Sequence, residues 1–154
     1  MSHRALFRSF GRSFLILLLL VASVSVAWAA NLKLEAKLIW ATNDDKSPNP
    51  DHKPVDPATA EKLRKTFKWR NYFVVNRLVK QVPSRGTNTF ELSKRCIIEI
   101  KELEGPRVEV KLIGEGKEVH KTTKTLNKGE WFVYSGDDKN ESAWFVIITE
   151  LDEK

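Results

Sequence analysis

The chain has 154 residues, with 26 Lys and Arg against 20 Asp and Glu, a formal charge of +6 and a single cysteine. That length fits one domain with room for a substantial core, and one cysteine excludes a scaffold of intramolecular disulfides. The charge does not dictate a nucleic-acid partner, because part of it sits in a segment that the finished domain does not keep.

That segment comes first. Arg4, Arg8 and Arg12 form a cationic start, an apolar run follows from Phe14 to Val26, and Ala27-Trp28-Ala29 is a small-x-small cleavage pattern. This is the plan of a secretory signal peptide over residues 1–29, cleaved after Ala29 and followed by one β-rich globular domain over 30–154. The stretch from Phe14 to Ala30 is near the lower limit of about 17 residues for a spanning helix, so a retained anchor is the alternative. Cleavage leaves no membrane span and a secreted or periplasmic product. Setting the three leader arginines aside, 26 minus 3 leaves 23 basic residues against 20 acidic, a formal charge of +3.

The first strand candidate alternates Leu32, Leu34, Ala36, Leu38 and Trp40 with Lys33, Glu35, Lys37 and Ile39, a period of two that lays one face on a core. From Asn43 to Pro57 the chain gathers Asn, Asp, Ser and four prolines, which predicts a surface loop. Asp56 suits an N-cap and Pro57 the first helical position, so a helix starts there and ends near Phe67. Leu63 and Phe67 share its narrow apolar stripe, which predicts packing on the edge or end of a sheet.

From Trp69 onward the pattern is β. Tyr72 to Val82, Thr89 to Leu92, Cys96 to Lys101 and Val108 to Leu112 read as strands, divided by Pro83 and Gly86, Glu104-Gly105-Pro106 and Gly114-Glu115-Gly116. Lys117 to Thr125 has little apolar content beyond Val119 and reads as a lysine-guarded edge strand. Trp131 to Tyr134 and Ala143 to Leu151 complete the set, the last with apolar residues on both faces, as a central or covered strand requires. About eight short strands at this spacing, with one short helix, predict an antiparallel β-sandwich of immunoglobulin-like or jelly-roll-like kind.

Catalytic and cofactor motifs are missing from the pattern: there is no nucleophile elbow, zinc-protease helix or phosphate loop. Cys96 and His120 form a conceivable nucleophile and base, but Cys96 reads as inward-facing. A small hydrolase is therefore the most remote reading, and no cofactor is implied. Asn43, Asp44, Asp45, Asp51, His52 and Asp56 offer oxygen and nitrogen donors for a hard cation, without the spacing of a calcium loop; the expectation is a solvated loop and no metal.

Binding surfaces are better supported. From Lys62 to Phe90 there are eight Lys and Arg and no acidic residue. Arg64, Lys65, Lys68 and Arg70 cluster around Trp69, a basic-aromatic patch suited to an anionic polymer or a protein surface. Export makes nucleic acid an unfitting partner and points to an unknown protein or polysaccharide of the envelope. The runner-up is a carbohydrate-binding module using exposed Trp131 and Tyr134, although strand alternation sets these two on opposite faces. The expected function is thus that of an exported, non-catalytic binding or accessory domain.

Overall fold

Ten elements follow one another along the chain: β1 (Leu32–Thr42), β2 (Lys53–Pro54), α1 (Pro57–Thr66), β3 (Asn71–Val82), β4 (Thr87–Ser93), β5 (Cys96–Glu104), β6 (Arg107–Gly114), β7 (Lys117–Thr125), β8 (Trp131–Asp137) and β9 (Ala143–Glu150). The computed structural model describes residues 31–152, so the expected leader and its cleavage after Ala29 lie outside the described residues.

The strands form two antiparallel sheets, one in the order β2-β3-β1-β9-β8 and the other β4-β5-β6-β7. They stack as a sandwich, as the alternation predicts. Phe90, Ile98, Ile100, Val108 and Val110 project from the four-stranded sheet onto Leu34, Ala36, Val146 and Ile148 of the five-stranded one. β5 and β6 bury every second residue, which is the local cause of their strand form. β7 is an edge strand, exposed along almost its whole length. β9 lies between β1 and β8, and both of its faces are covered.

The two sheets are stitched at one side by side chains. Asn76 Nδ2 on β3 donates to the Leu92 carbonyl on β4 (2.9 Å), and Lys80 Nζ to the Thr89 carbonyl (2.6 Å). Asn88 Nδ2 returns a bond to the Gln81 carbonyl (2.8 Å). These bonds occupy backbone carbonyls along the two adjacent strands, which a sheet ladder leaves unpaired at its edges.

The loop from 43 to 57 is not wholly irregular. Lys53 and Pro54 pair with Val74 and Phe73 as a two-residue edge strand, where a proline lacking its N–H is tolerated. The helix also differs from expectation in where it docks. Ala60 and Leu63 are buried against Ile39, Ala41, Phe145 and Ile147, so α1 covers the outer face of the central strands β1 and β9 rather than an edge or end. The reason is the apolar outer face of β9, which needs a cover, and the inter-strand segment from 43 to 70 is long enough to supply one. The architecture is therefore helix on sheet on sheet.

Beyond the helix, the same outer face carries a buried charge. Glu35, 6% exposed, is held by Lys37 (2.8 Å) and by the Arg77 guanidinium. A carboxylate this far from water is tolerable only with such partners.

Asp56 caps α1 through Oδ1, which accepts from the Thr59 N–H at 2.9 Å, and hydrogen bonds from the Thr59 side chain and then its N–H hold the carboxyl below the usual value of 3.8. Asp56→Ala should cost about 1 kcal/mol at neutral pH, whereas Asp56→Asn should retain most of the cap. A lowered folded-state pKa stabilises above the unfolded value and is lost as pH falls through the folded one. The gap between wild type and Asp56→Ala should therefore narrow in strong acid. Urea unfolding at both pH values measures this, and equal stabilities at neutral pH would contradict it.

Candidate functional site

The basic patch is partly scaffold. Arg64, Lys65, Lys68 and Arg70 are exposed at the end of α1 and in the turn that follows. Arg64 Nε donates to the Arg70 carbonyl (2.8 Å), and Arg70 reaches back to the Asn43 carbonyl (2.8 Å). The Arg70 N–H is bound by Asn43 Oδ1 as well, at 3.1 Å. Each guanidinium spends one N–H on the backbone and keeps others for solvent, so the positive charges are held in place rather than free to swing. Lys65 pairs with Glu61 across one helical turn at 2.8 Å.

Trp69 is not a contact surface. It is 7% exposed, its Nε1 donates to the Glu141 carbonyl at 2.7 Å, and it meets Phe145 edge-on at 5.7 Å. Lys68 lies over its ring at 5.0 Å. The residue anchors the 43–70 layer to the β8–β9 turn, where Asn140 and Glu141 both adopt positive φ (60° and 58°).

The cationic run from Lys62 to Phe90 does not form one face. Arg77 is bound to Glu35, Lys80 bridges the sheets, and Arg85 stands in the β3–β4 turn. Lys62 lies on the opposite flank of α1 from Arg64, over the half-buried Trp131 ring at 5.1 Å. Among the described residues, no carboxylate lies at ion-pair distance from Lys62, Arg64, Lys68 or Arg70. A shallow groove of about 180 Å³ opens beside Lys62, between Thr59 and Lys62 on the helix and Lys37, Trp131 and Thr149 on the sheet. The part played by Lys62 was hidden in the sequence, because only the docking of α1 on the sheet brings it to Trp131.

Trp131 and Tyr134 do not meet. Trp131 packs with the helix-side core, and Tyr134 with the core between the sheets. The Tyr134 hydroxyl is buried without a hydrogen-bond partner among the described residues, and burial pushes its pKa up to about 12. Its ring touches His120 of β7 at 5.3 Å and Phe132 at 5.8 Å. The two residues therefore supply no common platform for a sugar ring.

A different pair of tryptophans does share a face. Trp40 and Trp144 are cross-strand partners on β1 and β9, and Phe73 flanks Trp40 on β3 at 6.2 Å. Trp40 and Trp144, with Leu38 and Val75, form one wall of a cleft of about 500 Å³ that opens between the sheets at one end of the sandwich. Cys96, Leu112 and Val119 form the opposite wall. Asp137, Asp138, Glu115 and Arg95 stand around the mouth, the last two joined as an ion pair. Glu115 and Gly116 both have positive φ, the two-residue hairpin geometry that aims Glu115 at Arg95.

Cys96 is half-buried in this cleft, and desolvation pushes its thiol pKa up to about 11. It lies two strands away from His120, roughly 10 Å in strand spacings. Among the described residues, no group of three or more His, Cys, Asp or Glu converges as a metal site, and no helix is long and apolar enough to cross a membrane. Comparison with protein-family models, curated proteins and solved structures finds no match to this chain.

Proposed function

We propose that this chain is an exported, non-catalytic binding domain of the cell envelope or extracellular space that recognises an anionic polymer through its helix layer. The observation that carries this reading is the set Lys62, Arg64, Lys68 and Arg70, which lack carboxylate partners among the described residues and belong to one layer. Arg64 and Arg70, held by backbone hydrogen bonds, lose little freedom on meeting a polyanion. The Trp131 ring under Lys62 adds an apolar flank that a bare charge cluster lacks.

A heparin column tests the reading with a generic polyanion. The full chain should bind at low salt and elute as salt rises, since exposed charges are screened over about 10 Å at 0.1 M. Lys62→Glu with Lys68→Glu should weaken binding about tenfold, because two attractions become repulsions. Both side chains are exposed and, among the described residues, bond to no backbone group, so the fold should be preserved. Lys117→Glu with Lys124→Glu on β7 makes the same change in net charge and should leave binding within about twofold. Equal losses from both pairs, or retention that ignores salt, would defeat the proposal.

A further inference from the structure

The cleft at the end of the sandwich lies apart from the helix layer and does not depend on that reading. Its volume of about 500 Å³ falls within the range of small-ligand sites and would hold an apolar body on the order of a dozen non-hydrogen atoms. Its walls are supplied by Trp40 and Trp144 from one sheet and by Leu112 and Val119 from the other. Apart from the charged Arg95, Glu115, Asp137 and Asp138, the polar side-chain groups lining the cleft among the described residues are the Ser93 hydroxyl, the Cys96 thiol and the two indole N–H groups. A sugar entering here would leave most of its hydroxyls without partners, so the body of the ligand must be apolar.

The mouth decides the other end of the ligand. Glu115 is neutralised by Arg95, but Asp137 and Asp138 have no cationic partner at ion-pair distance among the described residues. Indole faces attract cations through their quadrupole, most strongly when water is excluded. Two tryptophans inside and two unpaired carboxylates at the entrance thus favour one charge and repel the other. We propose that this cleft binds a small amphipathic organic cation, with an apolar chain or ring buried between the sheets and an ammonium group between the indoles and Asp137 and Asp138.

Three probes with one chain and different heads test this on the full chain: octyltrimethylammonium, octyl glucoside and octanoate, each below its micelle concentration. Titration by calorimetry should show the cation binding about tenfold more tightly than octanoate and several-fold more tightly than octyl glucoside. Binding should raise the melting temperature, as a ligand of the native state must, and protect Cys96 from N-ethylmaleimide. Asp137→Asn with Asp138→Asn, both exposed, should cut the preference for the cation over octyl glucoside to about twofold or less. Val119 is 57% exposed on the edge strand, so Val119→Arg should leave the fold intact while blocking and repelling the cation. Octanoate binding as tightly as the cation, a preference unmoved by the aspartate changes, or unprotected Cys96 would each overturn the assignment.

Discussion

Phe145→Ala should lower stability by about 3–5 kcal/mol, the largest loss expected from any single substitution considered for this protein. Phe145 is fully buried on the outer face of β9, at the centre of the helix-side core. Three rings meet it edge-on: Phe67 at 4.6 Å, Trp69 at 5.7 Å and Tyr72 at 5.9 Å. Removing the ring creates a cavity and deletes three contacts of a kind that adds about 0.5–1.5 kcal/mol each beyond buried area. Trp69 is anchored through Glu141, which limits how far the site can collapse to fill the space. Such a loss is a large share of the roughly 5–15 kcal/mol available to a domain of this size.

The damage should also be placed. Phe145 joins the 43–70 layer to the sheet, whereas Phe90, buried to the same degree, sits between the sheets. Amide exchange in α1 should therefore rise more in Phe145→Ala than in Phe90→Ala at matched global stability. Denaturant unfolding and hydrogen exchange measure the two parts. A loss below about 1 kcal/mol, or equal protection of α1 in both variants, would show that the layer is not held this way.

Gly136→Ala should destabilise although local preference says the reverse. Gly136 lies inside β8 with an ordinary strand conformation, where a side chain normally gains about 0.5–1 kcal/mol over glycine. A Cβ there would stand 2.3 Å from Trp144 Cζ2 and 2.5 Å from Cε2, inside any permitted contact. The indole of Trp144 rests on the bare backbone of its cross-strand partner, and a methyl group must push it off. Overpacking of this kind costs about 1–3 kcal/mol, which outweighs the gain in strand preference.

The displaced indole moves in the wall of the cleft, so Gly136→Ala should also shift the tryptophan emission and weaken the octyltrimethylammonium complex. A double-mutant cycle with Trp144→Ala isolates the cause. With the indole absent, Gly136→Ala should become neutral or stabilising, giving a coupling of about 1 kcal/mol or more. A single variant as stable as wild type, or a cycle without coupling, would show that Trp144 does not need the missing side chain.

The elements of this fold are legible where their cause is local. The alternation in Cys96–Ile100 and Val108–Leu112 marks strands with one covered face, because successive side chains must point to opposite sides. Asp56 and Pro57 mark the start of α1 because an N-cap needs only its own next three residues. The polar run of Lys117–Thr125 marks an edge, since no buried strand could carry it. Lys53–Pro54 escaped notice because two residues in a proline-rich loop have no period to read.

The candidate sites were legible only in part, for the same reason. Arg64, Lys65, Lys68 and Arg70 stand out as a charge cluster, and all four are exposed. Trp69 looks like their aromatic partner in sequence, yet its indole turns inward to Glu141, 72 residues away. Trp40 and Trp144 are separated by more than a hundred positions, and nothing local sets them opposite one another. Their meeting depends on the register of β1 with β9, which is fixed by both strands' buried faces at once.

Periodicity, turn chemistry and capping act over a few residues, and together they already specify a β-rich sandwich with one capped helix. Tertiary structure decided which strands share a sheet, which face the helix covers, and that two distant tryptophans line one cleft. Those outcomes follow from non-local pairing and from the need to cover every apolar face, and no short stretch of chain carries that information.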